Sequence, residues 1–167
     1  VIIDVGGGTT DIAVVDHGSV VATKMFAYGG KVFTKRIAGR LKMQIEEAEQ
    51  VKVDYGNGNI SGAQARALRE MLTRDSLVWA QGVELSLTEV EDIDNYPPVF
   101  YLCGGGSGLP EIKESMQEYG WLQSLPFAKH PKIQHLYPKQ LDDIEDLTGS
   151  IDAPEDVAPL ALARMYF

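Results

Sequence analysis

The sequence predicts an α/β fold: a mixed β-sheet flanked by helices, with a small, mainly helical subdomain inserted into it. Three observations carry this. Short apolar runs lie towards both ends, at Val1 to Ile3, Ile12 to Asp16, Ser19 to Lys24 and Val99 to Cys103. Glycine clusters follow the first and the last of them, Gly6-Gly7-Gly8 and Gly104-Gly105-Gly106-Ser107-Gly108. Between the two clusters the apolar spacing changes to that of helices. Residues 1–28 and 97–167 are therefore assigned to one lobe built on the sheet, and residues 29–96 to the insertion.

The elements follow in order. Val1 to Ile3 is wholly apolar, as a buried strand requires, and the glycine triplet ends it. His17-Gly18 marks a tight turn between the next two strands. After Gly29-Gly30, Phe33, Ile37, Leu41 and Ile45 recur every four residues, which predicts one long helix from Lys31 to about Val53. Tyr55-Gly56-Asn57-Gly58 stops it. Ser61 with Gln64 has the spacing of a capping box before a second helix through Ala65, Leu68 and Leu72. Gly82 interrupts that pattern, and Val83 to Ile93 reads equally as its continuation or as a new helix. Tyr96-Pro97-Pro98 is a boundary before the strand at Val99. Pro110 and Gly120 sit where a helix would start and stop. Ile133 to Tyr137 reads as a short strand, Asp142 to Thr148 as an acidic surface stretch, and Pro159 to about Tyr166 as a final helix.

Composition excludes several functions. Fifteen basic and 24 acidic side chains give a net charge of −9, the wrong sign for a nucleic-acid surface. The same field opposes an anionic nucleotide unless backbone N–H groups and a cation hold it locally. No apolar run approaches the roughly 18 residues of a membrane span. A single cysteine, Cys103, forms no internal disulfide, which fits a reducing cytoplasm. His17, His130 and His135 show no metal-ligand spacing. The chain opens directly on a strand with no methionine, as a segment of a longer protein would.

The chemistry lies in the glycine turns. In Asp4-Val5-Gly6-Gly7-Gly8-Thr9-Thr10-Asp11, the glycines let backbone approach a ligand closely, and successive N–H groups can cradle an anion. Thr9 and Thr10 add hydroxyls. Asp4 beside phosphates requires Mg²⁺ or its waters between them. The plain alternative is a hairpin turn with polar trim. Gly30-Lys31-Val32 lacks the Ser or Thr of a Walker loop, and the first turn leads into a strand, unlike a dinucleotide fingerprint. The second turn misses the pattern of a nucleophile elbow because Leu109 stands at its last glycine. It suits close approach to a flat, neutral nucleoside, or a plain strand-to-helix turn. Glu49 and Lys52, three apart on a helix, would project from one side, and taken alone they read as an exposed ion pair.

Together these segments resemble the C-terminal half of the actin, sugar-kinase and heat-shock chaperone ATPase superfamily, whose core is an RNase H-like lobe. Val1 to Val15 resembles its phosphate-2 hairpin, and Leu102 to Leu109 its adenosine motif. Gly29-Gly30, Thr34, Ala48-Glu49 with Lys52, and Tyr55-Gly56 resemble the bacterial cell-division FtsA proteins in particular. The resemblance implies ATP and Mg as cofactors. Gly7, Gly8, Thr9 and Thr10 would grip phosphate, Gly30 would approach the terminal phosphate, and Asp4 would organise Mg through water. Glu49 and Lys52 would contact the ribose or base, and Gly104, Gly105, Gly106 and Ser107 would line the nucleoside. It implies self-association into filaments, an FtsZ-like division partner at the small lobe, and a cytoplasmic place at the inner face of the plasma membrane, reached through a segment absent here. That small lobe is short, since Asn59 to Ser61 leads almost straight into a helix. In-line attack needs both sides of a cleft, so weak ATPase activity belongs to the complete protein and not to this segment alone. The alternative is a PilM-like pilus assembly adaptor that binds a partner's peptide.

Overall fold

A computed structural model describes the chain except residues 119, 121–123, 142–145 and 166–167. Three antiparallel strands open it: β1 (Ile2–Val5), β2 (Thr10–Asp16) and β3 (Ser19–Phe26). Between β2 and β3, His17 and Gly18 both have positive φ, 48° and 79°, the backbone twist that a two-residue hairpin needs. Three helices follow, α1 (Gly30–Leu41), α2 (Ile45–Gly56) and α3 (Gly62–Thr88). The chain then returns to the sheet as β4 (Val99–Cys103), crosses through α4 (Pro110–Glu118) to β5 (Lys132–His135), and reaches α5 (Val157–Arg164). Strand order among the described residues is β3-β2-β1-β4-β5, with β4 parallel to both β1 and β5. The mixed sheet expected from the sequence is present.

The expected helix from Lys31 to Val53 is two helices. Lys42 takes up the left-handed conformation, φ 55°, and its N–H donates to the Ala38 carbonyl, which ends α1. Gln44 then caps α2, its backbone N–H donating to the Glu47 carboxylate at 3.3 Å. The four-residue spacing misled because Leu41 and Ile45, which carried it across the break, are both exposed. The capping box expected at Ser61 does not form, although Ser61 is the N-cap of α3. The same helix runs unbroken through Gly82 to Thr88. Gly82 serves packing: a Cβ there would fall 2.8 Å from the Phe26 ring. Of the acidic stretch, residues 142–145 lie outside the described residues, as does Tyr166 at the end of the last helix.

Alternation along the strands sorts the two faces of the sheet. Ile3, Val5, Ile12 and Val14 are buried on one face and join Phe33, Ile37, Leu72 and Trp79 of the helices in one apolar cluster. Trp79 is fully buried, so its indole N–H needs a partner, and it donates to Thr10 Oγ1 at 2.9 Å. The other face is more open. There Ile2, Asp4, Asp11, Ala13, Thr23 and Met25 line a hollow of about 370 Å³.

Candidate functional site

The parallel pairing of β1 with β4 sets Asp4 beside Cys103, so both glycine turns leave the sheet at the same edge. In the first, the Gly6 N–H donates to the Thr9 carbonyl at 2.9 Å, which closes a tight loop. The start of α1 is fastened to that loop. The Gly30 N–H donates to the Gly6 carbonyl at 2.8 Å, and the Lys31 N–H to the Gly7 carbonyl at 2.7 Å. Only glycine permits this contact at Gly29, where a Cβ would lie 2.5 Å from the Gly6 carbonyl oxygen. Gly7 and Gly8 are exposed, and among the described residues their N–H groups donate to no backbone carbonyl. They are uncommitted donors on an open turn.

The second turn leans on the end of β1. Gly104 has φ 80°, and a Cβ there would strike Asp4 Oδ1 at 2.1 Å. One on Gly106 would strike Val5 Cγ1 at 2.6 Å. Gly105, between them, is exposed and open. The two turns meet at Gly30: the position of a Cβ on Gly30 lies 3.6 Å from the Gly6 oxygen, 3.7 Å from Gly106 Cα and 3.2 Å from Lys52 Nζ. Residues 6, 30, 52 and 106 thus pack about a single point, which brings the two turns side by side.

A charged network backs this point. Lys52 is buried, and its ammonium donates to Thr34 Oγ1 at 3.1 Å, to the Gly30 carbonyl at 3.4 Å and to Glu49 Oε2 at 2.9 Å. The Thr34 hydroxyl also bonds Glu49 at 2.5 Å. Glu49 itself is about half exposed, at 48%. Burial works to raise its pKa, but hydrogen bonds from Lys52 and Thr34, with the charges of Lys52 and Lys31, hold it below the ordinary value. Glu49 therefore presents a firmly ionised acceptor at the mouth. Behind it, the end of α2 abuts the second turn, since a Cβ on Gly56 would lie 3.0 Å from the Gly108 carbonyl oxygen.

On the open face of the sheet Asp4 stands opposite Asp11. Burial, and then the Asp11 charge, push the Asp4 carboxyl above its ordinary value. Such a pair favours a proton or a nearby cation. Among the described residues no group of three or more His, Cys, Asp or Glu could enclose a metal. Two carboxylates are too few to enclose Mg²⁺ by themselves and would suit one that arrives with phosphate.

Three expected contacts change character. The Thr10 side chain is fully buried, donates to the Tyr28 carbonyl at 2.6 Å and accepts from Trp79, so it anchors the core and offers no hydroxyl to phosphate. The Ser107 hydroxyl, also fully buried, donates to the Gly104 carbonyl at 2.7 Å and closes the second turn from within. Lys52 is committed to Gly30, Thr34 and Glu49, so it sets the cleft wall and presents no free cation. Of the other expected residues, Gly7, Gly8, Gly105 and Glu49 are exposed and Asp4 and Thr9 half-buried, whereas Gly30, Gly104 and Gly106 are buried where the turns pack together, with the Gly30 and Gly104 N–H groups donating to the Gly6 and Pro154 carbonyls. Sequence reasoning passed over Lys31 because its neighbour Val32 failed the Walker pattern, and it counted Asp11 within the first motif but gave it no role of its own. The alternation of β1 and β2 is the signal that pairs Asp11 with Asp4.

The fold is that of the actin-like ATPases. Ethanolamine utilization protein EutJ from Carboxydothermus hydrogenoformans matches with a TM-score of 0.64 at 24% identity, covering 97% of this chain and 47% of that one. The PilM-PilN type IV pilus biogenesis complex matches at 0.66 and 22%, over 97% of this chain and 44% of that one. MreB 5 of Spiroplasma citri, bound to AMPPNP, matches at 0.54 and 21%, over 79% and 46%. The sequence profile of cell division protein FtsA matches residues 1–155, and the chain belongs to that family. FtsA of Bacillus subtilis strain 168 is 29% identical over 135 residues, 70% of this chain and 31% of that protein. The chain thus spans under a third of this relative and under half of each of those structures.

Proposed function

We propose that this chain supplies one wall of an Mg-ATP cleft in an FtsA-type division protein. The observation that carries it is the meeting of both glycine turns at Gly30. The N–H groups of Gly7 and Gly8 hold the phosphates, beside the Thr9 hydroxyl, which in this structure donates to Asp11 at 3.0 Å. Asp4 orders Mg²⁺ or its waters. Gly104, Gly105 and Gly106 admit the nucleoside, and Glu49 faces the ribose. In this reading residues 1–28 and 97–167 are the nucleotide lobe and residues 29–96 its inserted subdomain. The complete protein closes on ATP, hydrolyses it weakly, assembles into filaments at the inner face of the membrane and recruits FtsZ-type filaments there.

The test is titration of the full-length protein with a fluorescent ATP analogue, with and without Mg²⁺. Saturable binding that Mg²⁺ strengthens is expected, and Asp4→Ala removes the Mg²⁺ dependence. Absence of saturable binding rejects the nucleotide reading and leaves the fold untouched.

One observation also favours a PilM-like adaptor that binds a partner's peptide. A groove of about 730 Å³ between α1 and α3 carries Arg36, Arg40 and Arg74 beside Leu41, Leu68 and Met71. Glu70 and Asp75 line it too, and Asp75 pairs with Arg36, so Arg40 and Arg74 beside the apolar side chains are the groups that suit a peptide both acidic and apolar. Either partner reading places the contact in this groove, and competition between tail peptides for it tells the two apart.

A further inference from the structure

We propose that Lys31 distinguishes nucleoside triphosphate from diphosphate by binding the terminal phosphate across the Gly7-Gly8 turn. The inference rests on the nucleotide reading above and adds a residue to it.

Position comes first. From the second turn outward, the order of contacts is Gly106, Gly30, Gly6, Gly7 and Lys31. The Cβ position of Gly30 lies 3.7 Å from Gly106 Cα and 3.6 Å from the Gly6 oxygen. That of Gly7 lies 3.6 Å from Lys31 Cε. A nucleoside at the second turn sends its phosphates towards Gly7, and Lys31 stands at the far end of that path.

Charge comes next. Asp4, Asp11 and Glu49 place three carboxylates about the cleft, so an anionic tail needs a cation there. Lys52 is buried and bonded to Glu49, Thr34 and the Gly30 carbonyl. Lys24, which lines the hollow with Asp4 and Asp11, is paired with Glu89 at 3.4 Å. Lys31 is exposed and its ammonium makes no hydrogen bond or close ion pair among the described residues, and the Glu49 charge is its electrostatic neighbour.

The helix end cannot replace it. The first N–H groups of α1 are already used: Gly30 and Lys31 donate to the carbonyls of Gly6 and Gly7, and Val32 donates to Gly29 at 3.0 Å. The positive group left at this end of the cleft is the Lys31 ammonium. In a triphosphate it meets the last phosphate; in a diphosphate it falls one phosphate short.

The experiment measures dissociation constants of the full-length protein for a fluorescent ATP analogue and the matching ADP analogue. It compares wild type, Lys31→Gln and Lys31→Arg at fixed Mg²⁺ and salt. Loss of a charge-assisted hydrogen bond predicts that Lys31→Gln weakens ATP about tenfold or more, while ADP changes less than about twofold. Lys31→Arg restores most of the difference. Lys31 is on the surface, so circular dichroism and thermal unfolding of both variants should match wild type. Equal losses for ATP and ADP, or no loss at all, overturn the assignment while the nucleotide cleft stands. If wild type binds neither analogue, the cleft itself falls and this inference with it.

Discussion

At Gly104 the backbone adopts φ 80°, and the nearest atom to a new Cβ is the Asp4 carboxylate, at 2.1 Å. Substitution there meets strain and collision together. Gly104→Ala should destabilise the fold by roughly 2 kcal/mol or more, read by chemical denaturation, because both the φ and the packing oppose it. Gly105 is the control. Its Cβ would meet nothing closer than Glu155 Cβ at 4.0 Å, so Gly105→Ala should unfold like wild type yet weaken nucleoside binding. If both variants lose stability equally, the second turn is only a structural bend. The contrast could not be read from three adjacent glycines, since the sequence does not say which hydrogen faces Asp4 and which faces solvent. The Cys103 thiol shares this environment. Burial, then the Asp4 charge, push its pKa up to about 12, so it is an inert core group.

Between elements, one ion pair joins α1 to α3 beside their apolar packing. Arg36 bonds Asp75 twice, at 2.7 and 2.8 Å, and Asp75 is buried. Removing the arginine leaves a buried carboxylate without its cation. Because Arg36 is itself largely exposed, solvent moderates the loss, and Arg36→Ala should cost roughly 2 kcal/mol by denaturant titration. Arg36→Lys recovers only part, since it cannot form the two-pronged contact. Unchanged stability in Arg36→Ala would mean that apolar packing alone holds the two helices. Both residues stood in the sequence as ordinary polar positions of separate helices. Their separation of 39 positions along the chain hid the pair. The break at Lys42 was hidden for a local reason, since the apolar spacing runs on across it and only its left-handed backbone reveals it.

Across the whole molecule, α2 is tied to α4 through Tyr55, whose hydroxyl donates to the buried Glu111 carboxylate. The other Glu111 oxygen has no hydrogen-bond partner among the described residues. Burial dominates, and it raises the Glu111 pKa above the ordinary carboxylate value despite the Tyr55 hydrogen bond. The sign follows from linkage. A folded-state pKa above the unfolded value favours the fold while the group is protonated, and that benefit is lost as pH rises through the folded pKa. Wild type should therefore lose stability relative to Glu111→Gln as pH rises through the carboxylate range towards neutrality. Parallel denaturation curves at each pH check this, and a pH-independent difference would show that Glu111 does not titrate across the range.

The sequence alone determined the fold class, the two glycine turns and the family, because these rest on local patterns: apolar runs, glycine clusters and motif spacing. Only the tertiary structure decided which groups are available to a ligand. Thr10, Ser107 and Lys52 read as donors in one dimension, but each has its polar atoms committed to neighbours brought from afar or from within the turn. Lys31 read as a failed motif, yet it lies free over Gly7. Burial and hydrogen-bond commitment depend on which distant segments pack together, and no spacing along the chain records that.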